Sequence, residues 1–229
     1  MDAPEEVDEM KILVMGATGG SGRAAVAELL AAGHEVTALV RRPEALQAQD
    51  GLHLVVGDAM DPAAVDDAVA GQDAVLITLG ITENPLRVRF LGPAHTPLTI
   101  RSEGTQNAIQ AMRRHGVRRL VVQTTYGVGA TKARLRWVER ALFWALLKPQ
   151  IEDSEVQNQA VVDSGLEWVL AQPVHLSDGP EAPAPFTSTE GEVGRMQVTR
   201  ASVGRFLAEA VGSPRWVGQT VALSGPAAA

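Results

Sequence analysis

Cysteine is absent from this 229-residue chain, so disulfides, thiolate nucleophiles and zinc–thiolate centres are excluded. Aromatic residues are scarce: one Tyr, four Phe and four Trp make up 4% of the chain, leaving Ala, Val and Leu to fill the interior. A positive excess is missing as well. The formal net charge is −7, which argues against nucleic acid as the main partner. No apolar run approaches the ~20 residues that a membrane span needs; the most apolar stretch, "ALFWALLKP" from Ala141, is far shorter. No His/Asp/Glu cluster has metal-ligand spacing, and no Ser–His–Asp set points to hydrolysis. The opening "MDAPEEVDEM" is acidic and lacks the apolar stretch of a signal peptide. Residues 1–10 are therefore expected to be a flexible acidic segment of a cytoplasmic protein with no membrane partner.

What is present is an ordinary globular composition, 45% hydrophobic and 21% charged. Apolar runs of strand length lie at residues 12–15, 36–40, 53–56, 74–79, 120–124 and 168–171. Such short, nearly continuous Val/Ile/Leu runs suit strands covered on both faces. Helical patterns alternate with them at 22–32, 62–70, 103–115, 155–164 and 202–211. The second of these has Asp61 as an expected N-cap, Pro62 in its first turn and Gly71 as a stop, and Gly33 ends the first in the same way. The alternation predicts a doubly wound, parallel α/β sheet with helices on both faces, in a single domain over residues 11–229. Three irregular stretches follow predicted strand ends, at 81–100, 127–151 and 177–194. Open α/β sheets bind ligands at such ends, so these are expected to be substrate-site loops.

The stretch "MGATGGSG" leaves the first strand and enters the first helix. Gly16, Gly19 and Gly22 stand three apart, with Gly20 among them. A turn without Cβ atoms lets a backbone approach a diphosphate, and the free N–H groups at the helix start then meet its oxygens. The second strand ends on Val40, Arg41 and Arg42. An acid there would hold the adenosine ribose hydroxyls of NAD; two guanidinium groups instead suit the 2′-phosphate of NADP(H), or else form a solvated pair. Asp58 follows the third strand, where with Ala59 and Met60 it meets the adenine edge or serves only as a turn residue. Leu79 and Gly80 lead from the fourth strand toward the cofactor ribose.

Taken with "LVRRP", "VVGD", "VAGQDAVLITLG", "RSEGTQNAIQAMRRHGVRRLVVQTT" and "SGLEWVLAQPVHL", these residues resemble the atypical short-chain dehydrogenase/reductase family. The resemblance runs roughly from Lys11 to Ser224. Its flavour is that of the flavin reductase/biliverdin-IXβ reductase type and, more loosely, of the NmrA-like group. It implies a Rossmann fold, NADPH, and hydride delivery to a flat conjugated acceptor. It also implies cofactor contacts from Gly16, Thr18, Gly19, Gly22, Arg41, Asp58, Leu79 and Gly80. Thr124 and Thr125 match a hydroxyl position at the fifth strand's end, and Pro173, Val174 and His175 match the segment beside nicotinamide and substrate.

The Tyr-x-x-x-Lys pair of better-known relatives is missing. The single tyrosine, Tyr126, is followed four residues on by Ala130, and Ser154 stands where a lysine or histidine is expected. A simple ketone needs strong proton donation to its forming alkoxide, whereas a flavin, quinone or linear tetrapyrrole spreads the incoming charge. Thr125, Tyr126 and His175 are the catalytic candidates, with Thr124 holding the nicotinamide end; the alternative is that the threonines serve only the strand, Tyr126 packs and His175 has neither task. Arg87, Arg89 and Arg101 suit an anionic group on a substrate, or are simply solvated. Trp137 and Trp144 share a helical face and, with Phe143 and Leu147, either roof a flat substrate or pack. The expected function is an NADPH-dependent oxidoreductase acting on a conjugated small molecule, flavin- or quinone-like, as a monomer or homodimer. A non-catalytic NADP(H) sensor, or an epimerase or ketoreductase of specialised metabolism, stands as the alternative.

Overall fold

The computed structural model describes residues 9–81, 83, 92–135, 137–179 and 184–226, apart from the side chains of 137–146. Eight strands form one sheet in the order β3 (Leu52–Val56), β2 (Glu35–Val40), β1 (Lys11–Met15), β4 (Ala74–Ile77), β5 (Arg119–Gln123), β6 (Glu167–Pro173), β10 (Gln219–Ser224) and β8 (Phe186–Ser188). Every pairing in it is parallel except that of β8, an antiparallel edge on β10. A small ladder, β7 (His175–Ser177) with β9 (Gln197–Thr199), stands beside it.

The sheet divides the core in two. In β1, Ile12 and Val14 point to one face and Leu13 and Met15 to the other, all fully buried. The first face is covered by α1 (Gly20–Ala31) and α5 (Arg200–Gly212), with Leu29, Val203, Phe206 and Leu207 packed on it. The second face carries α2 (Pro62–Val69) and α3 (Ile100–His115), through Val65, Val69, Ile109 and Met112, and the end of α4 (Trp137–Val162) through Val161. Two-sided burial is the reason these strands read as continuous apolar runs. The doubly wound parallel sheet, helices on both faces and single domain expected from the sequence are all present.

Local signals act as expected at several ends. The Asp61 carboxylate accepts from the Ala63 N–H at 3.0 Å and caps α2, while Gly33 (φ +84°) and Gly116 (φ +72°) terminate α1 and α3. Other segments differ. Residues 127–151 are not one loop: a 3-10 turn at Gly129–Arg134 leads into α4, which continues through Pro149. A proline removes one helical hydrogen bond, and the helix continues past it to Val162, with Asp153, Ser154, Gln157 and Val161 buried beyond it. The irregular stretch at 177–194 contains β8, and β10 was not expected from the sequence. Of the expected loop at 81–100, most of the first half lies outside the described residues, as do Arg87, Arg89 and residues 1–8; the side chains of Trp137, Phe143 and Trp144 do too.

Helices α1 and α5 cross at a glycine. A Cβ on Gly204 would lie 2.5 Å from the Ala24 Cβ and 2.6 Å from its carbonyl carbon. Gly204→Val is therefore expected to force the helices apart and lower unfolding free energy by about 1–3 kcal/mol in urea denaturation. A variant as stable as the parent would contradict this packing.

Candidate functional site

The chain leaves β1 toward β2 on one side of the sheet and later crosses to β4 on the other. The carboxyl ends of β1 and β4 thus flank a crevice of the kind in which open α/β sheets hold ligands. Gly16 turns the chain there with φ +95°, and the Thr78 hydroxyl at the end of β4 donates to its carbonyl at 3.2 Å. The Gly19 N–H closes the turn on the same Gly16 carbonyl at 3.0 Å. A Cβ on Gly22 would lie 2.2 Å from that oxygen, so only glycine allows the helix to start so close to the strand. No side chain caps α1, whose N-cap is Gly19. The amides of Gly20, Ser21 and Gly22 lie in the first turn, where N–H groups have no intrahelical acceptor, and the helix dipole adds positive potential there.

Arg23, unmarked in the sequence reading, braces this turn. Its Nε donates to the Thr18 carbonyl at 2.9 Å and its Nη2 to the Ala45 carbonyl at 2.8 Å, joining the glycine loop to the segment after β2. Beside it Arg41 and Arg42 are exposed, and Arg41 Nη1 donates to the His95 carbonyl at 3.3 Å. At the end of β3 the Asp58 carboxylate accepts from the Met60 N–H at 3.0 Å, as a turn residue does, without closing off its second oxygen. The buried Ala59 presents its carbonyl to Asn107 Nδ2 at 3.0 Å, and Gly104 of α3 admits Leu79 and Ala59 against its backbone.

Gly80 touches another cation. A Cβ on it would lie 3.0 Å from Arg101 Nη2, while Arg101 Nη1 is shut from solvent with no hydrogen-bond partner among the described residues. Burial pushes this guanidinium below its ordinary pKa, against the pull of Asp153. The Asp153 carboxylate is occupied elsewhere: it accepts from the Arg101 and Ser102 N–H groups at 3.1 Å each and from the Ser102 hydroxyl, capping α3 from α4.

The ends of β5 and β6 meet as the sequence suggested, through Thr124 N–H to Ala171 O at 2.8 Å and Tyr126 N–H to Pro173 O at 3.1 Å. The side chains around this junction are placed as follows. The Tyr126 ring is buried, and its hydroxyl donates to the Gly191 carbonyl at 2.9 Å, tying β5 to the turn after β8. This hydrogen bond braces the end of β5 against that turn. Thr124 is 4% exposed, and its hydroxyl accepts from Gln172 Nε2 at 3.3 Å. Gln172 also receives the Thr131 hydroxyl on Oε1 at 2.6 Å and donates to Val128 O at 3.2 Å, a buried polar network beneath the site. The polar Gln172 within apolar β6 was the one sequence sign of it. Ser154 donates to the Gln150 carbonyl at 2.8 Å, one helical turn back. Thr125, by contrast, is half-buried and makes no hydrogen bond among the described residues. Val174 is buried with its N–H on Leu223 O at 3.0 Å, and His175 is exposed on β7.

A glycine turn whose Cβ positions are filled by backbone, under an uncapped helix start, fits a dinucleotide diphosphate. A family model described as NAD(P)H-binding matches residues 16–214. The chain belongs to that NAD(P)H-binding family. A 3-diazoavenalumate denitrifying reductase from a Streptomyces species is 38% identical over 118 residues, 50% of this chain and 38% of that protein. The chain spans between 34% and 38% of the length of several such curated relatives. Among solved structures, ChuY from Escherichia coli O157:H7, titled an anaerobillin reductase, superposes with TM-score 0.75 at 23% identity over 96% of this chain and 98% of that one. A wide-type short-chain dehydrogenase/reductase from Veillonella parvula, in complex with NADP, gives 0.71 at 16% identity over 95% of each chain. These likenesses agree with the doubly wound fold. Among the described residues no helix is long and apolar enough to cross a membrane.

Gly22→Ala places a methyl group where the Gly16 carbonyl stands. It is expected to weaken NADPH binding by about tenfold or more, since overpacking costs ~1–3 kcal/mol, with the far-UV circular dichroism unchanged. Unaltered affinity in calorimetry would show that the tight turn is not required.

Proposed function

We propose that this NAD(P)H-binding chain is an NADPH-dependent reductase that delivers hydride to a conjugated small molecule, flavin- or quinone-like. The observation that carries it is the fate of the hydroxyls at the β5 end. Tyr126 is tied to Gly191 and Ser154 to Gln150, so neither offers a proton to a forming alkoxide. A conjugated acceptor does not need one at the hydride step, because its charge spreads over the ring system and water supplies the proton. Names among the curated relatives, such as the denitrifying reductase, support reduction as the class of reaction.

The residues have separable tasks. The amides of Gly20, Ser21 and Gly22 hold the diphosphate. Arg41 and Arg42 take the 2′-phosphate with charge-assisted hydrogen bonds, which favours NADPH over NADH. Leu79, Gly80, Pro173 and Val174 wall the path toward the nicotinamide, and Thr125 offers the open hydroxyl beside it. When bound, the coenzyme supplies the hydride. Arg101 suits an anionic substituent on the acceptor, since one guanidinium nitrogen has no hydrogen-bond partner among the described residues and the Asp153 carboxylate is taken up by the Arg101 and Ser102 amides and the Ser102 hydroxyl. His175 stands exposed at the β6 exit to orient the acceptor or pass it a proton.

The test is NADPH oxidation with riboflavin phosphate, 1,4-naphthoquinone and an aliphatic ketone. Turnover is expected with the first two only, and Tyr126→Phe is expected to keep kcat within about threefold. General acid catalysis typically contributes about 100-fold or more, so a loss of that size in Tyr126→Phe would overturn the assignment. Tight NADPH binding with no turnover on any acceptor would favour the sensor instead.

A further inference from the structure

Arg200, the first residue of α5, lies far from the glycine loop in sequence and against it in space. A Cβ on Gly20 would stand 2.3 Å from Arg200 Cδ and 2.8 Å from its Nε. The cause is the crossing of α1 and α5. Gly204 packs on Ala24, and Arg200 and Gly20 each lie four residues earlier, one helical turn back on the same faces. The close crossing therefore sets the Arg200 stem over the start of α1, in the space a side chain at residue 20 would fill. A side chain at position 20 would push the end of Arg200 aside.

Resting on the reading of this loop as the diphosphate site, we propose that Arg200 is a further coenzyme ligand, its guanidinium clamping the diphosphate from the side opposite the α1 amides. Its Nη1 donates to Asp178 Oδ1 at 2.7 Å, and that is its one hydrogen bond among the described residues. A guanidinium has five N–H donors in a planar fork, so the remaining ones are open to phosphate oxygens. The Asp178 side chain is 90% exposed and that of Arg200 32%. A pair this open to water adds little to stability by itself. It does hold the fork at the loop, so that less side-chain freedom is lost when the diphosphate arrives. The contrast with Arg41 is chemical: Arg41 meets the phosphate that distinguishes NADPH, whereas Arg200 meets the one that both coenzymes share.

That contrast supplies the experiment. Calorimetric titration of the full chain with NADPH and with NADH compares the parent, Arg200→Gln, Arg200→Lys and Arg41→Asp. Loss of hydrogen bonds to a charged group predicts that Arg200→Gln weakens both coenzymes alike, by about tenfold or more. Arg200→Lys is expected to recover part of the loss, and Arg41→Asp to weaken NADPH selectively. The thermal midpoint of coenzyme-free Arg200→Gln is expected to stay within about 2 °C of the parent, as befits an exposed pair. The proposal is overturned if Arg200→Gln binds both coenzymes within twofold of the parent or weakens NADPH alone. A large fall in the coenzyme-free midpoint overturns it too, because the role would then be structural. A parent chain that binds neither coenzyme removes the diphosphate site and Arg200's role together, whereas normal parent binding with an indifferent Arg200→Gln removes only the latter.

Discussion

The approach of the Gly22 backbone to the Gly16 carbonyl is the constraint on which the site depends. A Cβ at residue 22 would sit 2.2 Å from that oxygen, so α1 starts where it does only because nothing projects from this position. Its amides face the crevice between β1 and β4 as a consequence, and they stay uncapped. Helix ends are normally capped by a side chain or by water. Here the chain supplies glycine at the N-cap and leaves the donors for an anion. The dipole, the orphan amides and the missing Cβ atoms act in one direction. Thr78 and Arg23 then hold the turn from two sides, one from β4 and one from the helix itself.

How much of this the sequence carried depends on range. The glycine turn and the Asp61 cap were legible because each rests on residues within one turn. Strands β1, β2, β4, β5 and β6 were legible because both of their faces are largely buried, which marks them as apolar runs; the edge strand β3 carries a similar run although it is partly exposed. Neither the role of Tyr126 nor that of Arg200 has such a local mark. A tyrosine after two threonines reads either as a hydroxyl offered to substrate or as a packed ring, and its hydrogen bond to Gly191, 65 residues on, has no mark in the local sequence. Helix α4 was obscured by Pro149, β10 by its short apolar stretch, and β7 and β9 by having three residues each.

The proposed acceptor end of the site is built differently from the proposed coenzyme end. At the coenzyme end, backbone donors and exposed arginines are left open. At the β5 and β6 ends the polar groups are largely satisfied within the protein, through the Gln172, Thr124 and Thr131 network and the Tyr126 tether. Buried polar groups that are fully bonded make a rigid floor rather than a set of catalysts. Among the described residues Thr125 keeps unsatisfied capacity there, and Arg101, beside Gly80, has one buried nitrogen without a partner. That balance suits positioning of a flat, charged acceptor more than proton transfer to an isolated carbonyl.

The most direct measurement is an amide-resolved NMR titration of the chain with NADPH. The account predicts that the largest amide shifts fall on Gly19, Gly20, Ser21 and Gly22, together with the segment that carries Arg41 and Arg42. If NADPH saturates the protein while the amides of the glycine turn remain where they were, the diphosphate lies elsewhere and the account is wrong.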